Sequence, residues 1–143
     1  MIAAVLAGSF CYGAGVYEPA SSDLRIGSWN VYQSRIYKGN NNSSPSSRYD
    51  SWPRIMNGVQ ADIWLLQEMF YNDSGVPTSY LDDFCSHVKS VTGDNSWKWA
   101  SDKKGRVTLT RYPIRWSAQV SHRIHATWID LPSSVSSTSL RVV

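Results

Sequence analysis

The chain of 143 residues suits one modest domain, and its composition excludes a disordered protein, because 42% of its residues are hydrophobic and 17% are charged. A net charge of +3 and a pI of about 9.0 favour an anionic partner, but the chain has no dense block of Lys and Arg. Seven Trp and eight Tyr suit a mixed sheet protein and equally a carbohydrate-binding β-sandwich, so that alternative stays open.

Residues 1–20 form a predicted lead segment. The stretch MIAAVLAGSFCYGAG has no charge, and it is shorter than the roughly 20 apolar residues of a membrane-spanning helix. It resembles the apolar core and small-residue exit of a secretory signal without the usual positive start, so we expect a secreted or periplasmic protein. Removal of this segment would remove Cys11 and leave Cys85. We expect Cys85 to be buried on a helix, and the alternative is a thiol that pairs with a cysteine outside this chain.

The first predicted elements form a β-α-β unit. A strand over 24–31 (LRIGSWNV) is followed by a polar loop over 37–47 and by a helix over 50–60. A short continuous apolar run in ADIWLLQE, 61–68, then predicts a strand buried on both faces. Such a unit predicts two parallel strands joined by one crossover. The helix should bury a stripe made of Trp52, Ile55, Met56 and Val59.

A second helix and a set of strands follow. Helix 79–91 has capping-box spacing at Ser79 and Asp82, and Gly93 can end it. Alternating apolar residues then predict strands over 96–100, 106–111, 114–120 and 124–131, and a further strand begins in LRVV at 140–143. The fold class is therefore α/β (α+β) with a mixed sheet.

Two polar residues end the predicted parallel strands. Asn30 follows the first strand and Glu68 follows the second. Ligands of open α/β sheets bind outside the carboxyl ends of the strands, so we expect these two side chains to meet at one edge. An amide oxygen and a carboxylate are hard ligands of the kind that Mg²⁺ or Mn²⁺ takes.

Three motifs carry a resemblance to a known family. LRIGSWNV, ADIWLLQE and GRVTLTRYPI (105–114) resemble, in order, motifs of the endonuclease/exonuclease/phosphatase superfamily, which has the deoxyribonuclease I-like fold. Thr110 stands where that family commonly has Ser. The resemblance implies a two-sheet sandwich flanked by helices and metal-dependent hydrolysis of phosphate esters, with Asn30 and Glu68 as catalytic, metal-binding residues and Mg²⁺ or Mn²⁺ as cofactor.

The later motifs of that family are not recognisable in this sequence. They are a His after a strand, an Asp-x-Asn pair and a terminal Asp-His dyad that orients the attacking water. We therefore expect residues 21–143 to be the N-terminal half of the domain, and the chain by itself to be inactive and poorly soluble, with a sheet face exposed for want of a second sheet. His122 and His125 are candidate replacements for metal binding or general-base duty, Arg111 is a candidate phosphate contact, and His87 should lie at the surface.

The predicted function is thus a phosphate-ester hydrolase that acts on nucleic acid or on a phospholipid headgroup, with no stable protein partner apart from the missing half of its own domain. A lipid phosphodiesterase of the sphingomyelinase type is one alternative. A non-catalytic binding module, either a Trp-rich β-sandwich or an inactive relative of the hydrolases, is the other.

Overall fold

The computed structural model describes residues 23–32, 51–69, 77–102, 104–135 and 140–142. The predicted lead segment and the polar loop over 37–47 lie outside these ranges. The described elements are β1 (Ile26–Asn30), α1 (Ser51–Val59), β2 (Ile63–Gln67), α2 (Thr78–Thr92), β3 (Lys98–Ser101), β4 (Val107–Thr110), β5 (Ile114–Ser121), β6 (Ile124–Ile129) and β7 (Leu140–Val142).

These strands form two sheets, and the chain is an α+β protein. A four-stranded mixed sheet has the order β1-β2-β4-β3, and a three-stranded antiparallel sheet has the order β5-β6-β7. Strands β1 and β2 are parallel, with Ile26 opposite Ile63 and Asn30 opposite Gln67. The predicted β-α-β unit and mixed sheet are confirmed. The continuous apolar run of β2 has its expected cause, because β2 lies inside its sheet and both of its faces are covered.

Helix α1 buries a narrower stripe than its sequence predicts. Trp52 and Met56 are buried and Ile55 is half-buried, as expected. Val59 is 45% exposed, so its predicted burial is wrong. Val59 is the last residue of the helix, where the chain turns away toward β2, and its carbonyl oxygen accepts a hydrogen bond from Arg25 Nη1.

Helix α2 begins one residue earlier than predicted. Its N-cap is Pro77, in an extended conformation and without a side-chain cap, so the predicted capping box of Ser79 and Asp82 is wrong. The Asp82 carboxylate instead accepts a hydrogen bond from Trp99 Nε1 at 3.1 Å, which attaches the helix to β3. Gly93 ends the helix in the left-handed conformation, as predicted. Neither described helix is both long and apolar enough to cross a bilayer.

The larger core lies between the helices and the four-stranded sheet. Trp52 stacks on Trp29 with ring centroids 5.3 Å apart, and it contacts Phe84 at 5.1 Å. Gly27 lets Trp64 approach the backbone of β1, because a Cβ at this position would lie 2.6 Å from the Trp64 ring. Cys85 is buried in this core on α2, as predicted, and burial raises the pKa of its thiol.

The opposite face of the four-stranded sheet packs against the three-stranded sheet. Ile63, Ile129 and Val142 form the buried centre of this interface. The expectation that this face lacks a second sheet is therefore wrong, because β5, β6 and β7 cover it in part. Exposed apolar residues persist toward its margin, where Ile26 on the edge strand β1 and Ile124 on β6 are each 41% exposed.

Candidate functional site

Asn30 and Glu68 lie side by side at the carboxyl ends of β1 and β2. Asn30 Nδ2 donates a hydrogen bond of 2.9 Å to Glu68 Oε1. The parallel register brings them together, since Asn30 lies opposite Gln67 and Glu68 is the next residue. The predicted proximity of the two side chains is confirmed, while the predicted binding of a metal ion stays a prediction.

The orientation of Asn30 gives it a specific task in this pair. Its Oδ1 accepts a hydrogen bond of 2.9 Å from the backbone N–H of Tyr32, which leaves Nδ2 directed at the carboxylate. The sequence predicts the amide oxygen as a metal ligand, whereas here the amide nitrogen faces Glu68. An amide oxygen has two lone pairs, so Oδ1 keeps one site for a cation beside the Tyr32 N–H.

Glu68 has an unusual backbone conformation, with φ of 56°. Non-glycine residues rarely adopt this left-handed region, which costs on the order of 1–3 kcal/mol and is found often at functional sites. Backbone hydrogen bonds on either side fix it in place. Val31 N–H donates to the Gln67 carbonyl and Met69 N–H donates to the Gly105 carbonyl, both at 2.9 Å.

The carboxylate of Glu68 is exposed and suits a hard cation. No further hydrogen bond or ion pair of this side chain is found within the described residues. Those residues also contain no cluster of three or more His, Cys, Asp and Glu side chains able to hold a metal ion. One carboxylate and one amide oxygen fit Mg²⁺, which usually keeps several waters and takes one or two carboxylates together with substrate phosphate.

A cavity of about 290 Å³ lies between the two sheets beside this edge. Gln67 lines the cavity, and its Nε2 donates hydrogen bonds to the Leu65 carbonyl at 2.9 Å and to Ser28 Oγ at 3.3 Å. Arg106 and Arg123 are among its lining residues. The Arg106 guanidinium forms an ion pair with Asp102, so Arg123 is the lining residue that suits an anion. The lining residues are Ser28, Leu65, Leu66, Gln67, Arg106, Val107, Thr108, Arg123, Ile124, His125 and Val142.

His125 is buried and lines the cavity. Its Nε2 lies 3.2 Å from Thr127 Oγ1, which in turn lies 3.0 Å from Thr108 Oγ1 across the two sheets. Burial lowers the pKa of His125, and the nearby Arg106 charge lowers it further while Asp102 opposes this. The histidine is therefore neutral near pH 7, and its Nδ1 has no hydrogen-bond partner in the described part of the chain.

The other residues singled out from the sequence lie away from the pair. Arg111 is at the opposite end of the sheet, because β4 runs antiparallel to β2. It forms ion pairs of 3.4 Å with Asp62 and 3.5 Å with Asp94, so its candidate role as a phosphate contact finds no support. His122 is exposed on the β5–β6 turn, and His87 is half-buried on α2 rather than at the surface.

Sequence reasoning missed the ion pair between Asp102 and Arg106. These residues flank the β3–β4 turn, which lies at the same edge as Glu68. The signal was present, since opposite charges four residues apart bracket the turn-forming stretch DKKGR.

Comparisons of the chain with protein-family models, curated proteins and solved structures find no match.

Proposed function

We propose that this protein is a metal-dependent phosphoesterase with deoxyribonuclease I-like architecture, in which Glu68 and Asn30 bind Mg²⁺ or Mn²⁺. The observation that carries the proposal is the hydrogen-bonded Asn30–Glu68 pair at the carboxyl ends of two parallel strands. Two packed sheets, with helices on the outer face of the first, are also what the resemblance implies.

Each residue of the pair has a defined role in this proposal. Glu68 supplies the negative charge that holds the cation, and the buried strand β2 fixes its position. Asn30 orients the carboxylate through its Nδ2–H group, is itself oriented by the Tyr32 N–H, and would offer its Oδ1 to the ion. The bound ion would supply positive charge where negative charge develops on the phosphoryl oxygens.

The surroundings of the pair favour nucleic acid as the substrate. Tyr32 is 59% exposed beside Asn30, and the exposed Arg123 lines the adjoining cavity. An exposed aromatic ring and a positively charged side chain on this side of the protein suit a nucleic-acid strand, which offers bases for stacking and phosphates for ion pairing. A phospholipid headgroup is the second candidate, because Val120 and Ile124 expose 61% and 41% of their surface on the neighbouring hairpin.

The tryptophans give little support to the sugar-binding alternative. A sugar platform needs exposed aromatic rings, but among the seven only Trp116 is largely exposed, at 50%. The others are buried or half-buried. Trp29, Trp52 and Trp64 pack against one another in the core between the helices and the four-stranded sheet. Their abundance is therefore explained by packing.

Metal binding by the full chain tests the proposal. Mn²⁺ should broaden the NMR signals of Asn30, Glu68 and their neighbours at concentrations that leave the rest of the spectrum sharp. Glu68→Gln keeps the shape of the side chain but removes its charge, so it should abolish this local broadening. Asp130→Asn removes a carboxylate of the distant Arg115–Asp130 pair and should not. Broadening that survives Glu68→Gln, or that never appears at this edge, would refute the metal site.

A further inference from the structure

The turn between β3 and β4 contacts the backbone of Met69, the residue that follows Glu68. Strands β2 and β4 are antiparallel with Leu66 opposite Val107, so the residues after β2 run beside those before β4. The Gly105 carbonyl accepts the hydrogen bond from Met69 N–H, one residue beyond Glu68. Gly105 has φ of 85° and is buried, a conformation that places its carbonyl in this contact without a side-chain penalty.

The Asp102 carboxylate binds two other residues of this turn. The Asp102 side chain is completely buried, and its carboxylate forms an ion pair with the guanidinium group of Arg106. It also accepts a hydrogen bond of 2.7 Å from the Lys104 N–H. The Arg106 carbonyl accepts a further hydrogen bond of 2.8 Å from Ser101 Oγ, which closes the turn across its base.

Arg106 also connects this turn to the second sheet. Its Nη2 donates a hydrogen bond of 2.9 Å to the His122 carbonyl on the β5–β6 turn. One guanidinium group thus contacts the β3–β4 turn and the three-stranded sheet at once, which a planar fork of donors can do and a lysine ammonium cannot do in the same geometry. Arg106 therefore connects the β3–β4 turn, which lies beside Glu68, to the β5–β6 turn of the other sheet.

We infer that Asp102 and Arg106 are positioning residues for Glu68. They hold the Gly105 carbonyl, which holds the Met69 N–H, and so keep Glu68 in the left-handed conformation in which its carboxylate meets Asn30. Partners of this kind, which contact a ligand's support rather than the ion, commonly change metal affinity about 10–100-fold when they are removed. The consequence for catalysis rests on the proposed function, but the effect on Glu68 does not.

The test compares Asp102→Asn with the matched change Asp130→Asn in the Arg115–Asp130 pair of the three-stranded sheet. Three quantities are measured on the full chain at temperatures where it is folded: the side-chain amide shifts of Asn30, hydrogen exchange at the Met69 amide, and the Mn²⁺ dissociation constant from local line broadening. We expect Asp102→Asn to shift the Asn30 signals, accelerate exchange at Met69 and raise the dissociation constant about 10–100-fold, as for other supports of metal ligands. Asp130→Asn should leave all three unchanged.

A folded Asp102→Asn chain with unchanged Asn30 signals would overturn the inference. If Asp102 only stabilised the fold, its loss would lower the free energy of unfolding without shifting the Asn30 side-chain amide signals of the native state. If Asp102→Asn fails to fold, Arg106→Lys takes its place and is judged by the same signals. It keeps the charge opposite Asp102 but loses the fork that also reaches His122. If the wild-type chain binds no Mn²⁺ at Glu68, the proposed function fails, while the Asn30 and Met69 signals still decide whether the turn positions Glu68.

Discussion

The left-handed conformation of Glu68 can be tested by comparing two truncations, Glu68→Ala and Glu68→Gly. Both remove the carboxylate and its hydrogen bond to Asn30, so those losses cancel in the comparison. Alanine retains the Cβ that makes φ of 56° unfavourable, at a cost of about 1–2 kcal/mol. Glycine avoids that cost but loses about 0.5–1 kcal/mol through the greater freedom of the unfolded chain.

Taking the middle of each range, we expect Glu68→Gly to be more stable than Glu68→Ala by about 0.5–1 kcal/mol. For a domain of this size the difference corresponds to about 2–4 °C in Tm. Urea unfolding followed by tryptophan fluorescence measures it, since the buried Trp52, Trp64 and Trp97 report on the core.

A control pair at Asn57 should give the opposite sign. This residue is exposed inside α1, where glycine is less favourable than alanine by about 1 kcal/mol. At Asn57 the alanine variant should be the more stable of the two. If Glu68→Ala is likewise at least as stable as Glu68→Gly, then Glu68 does not adopt the left-handed conformation. The reasoning about its positioning would then fail as well.

Three further predictions concern the core and its titration. Gly27→Ala should lower the free energy of unfolding by about 1–3 kcal/mol, because its Cβ would meet the Trp64 ring; an unchanged urea midpoint would contradict this packing. The free energy of unfolding should fall as the pH drops below about 6.5, because burial lowers the pKa of His125 and the unfolded chain takes up the proton first. His125→Gln should remove this part of the pH dependence, which is measured as the free energy of unfolding between about pH 8 and pH 5. In a Cys11→Ser background, Cys85 should react slowly with a thiol reagent until the chain is unfolded, and rapid reaction of the native chain would show that its burial is wrong.

The local elements could be predicted from the sequence because their signals are local. The apolar run from Ile63 to Leu66 predicts a strand covered on both faces, and β2 has this environment. Gly93 marks the end of α2 because a left-handed C-cap favours glycine. The meeting of Asn30 and Glu68 was also predictable, since parallel strands joined by one crossover bring their carboxyl ends to the same edge.

Other features depend on contacts between segments that are distant in the chain. The start of α2 did not follow the Ser79–Asp82 spacing, because Asp82 bonds to Trp99 of β3 instead of capping the helix. Arg111 was a candidate phosphate contact, but the antiparallel pairing of β4 with β2 places it at the far end of the sheet. No local pattern states the direction in which a later strand will pair.

The sequence by itself determined the periodicity of the strands and helices and the two polar residues that end the parallel pair. Only the tertiary structure decided that His125 is buried between the sheets, that Asn30 presents its amide nitrogen to Glu68, and that the turn closed by Asp102 and Arg106 lies beside them. The physical reason is that periodicity depends on neighbours a few residues away. Burial, hydrogen-bond choice and backbone strain depend on which distant groups fill the remaining space.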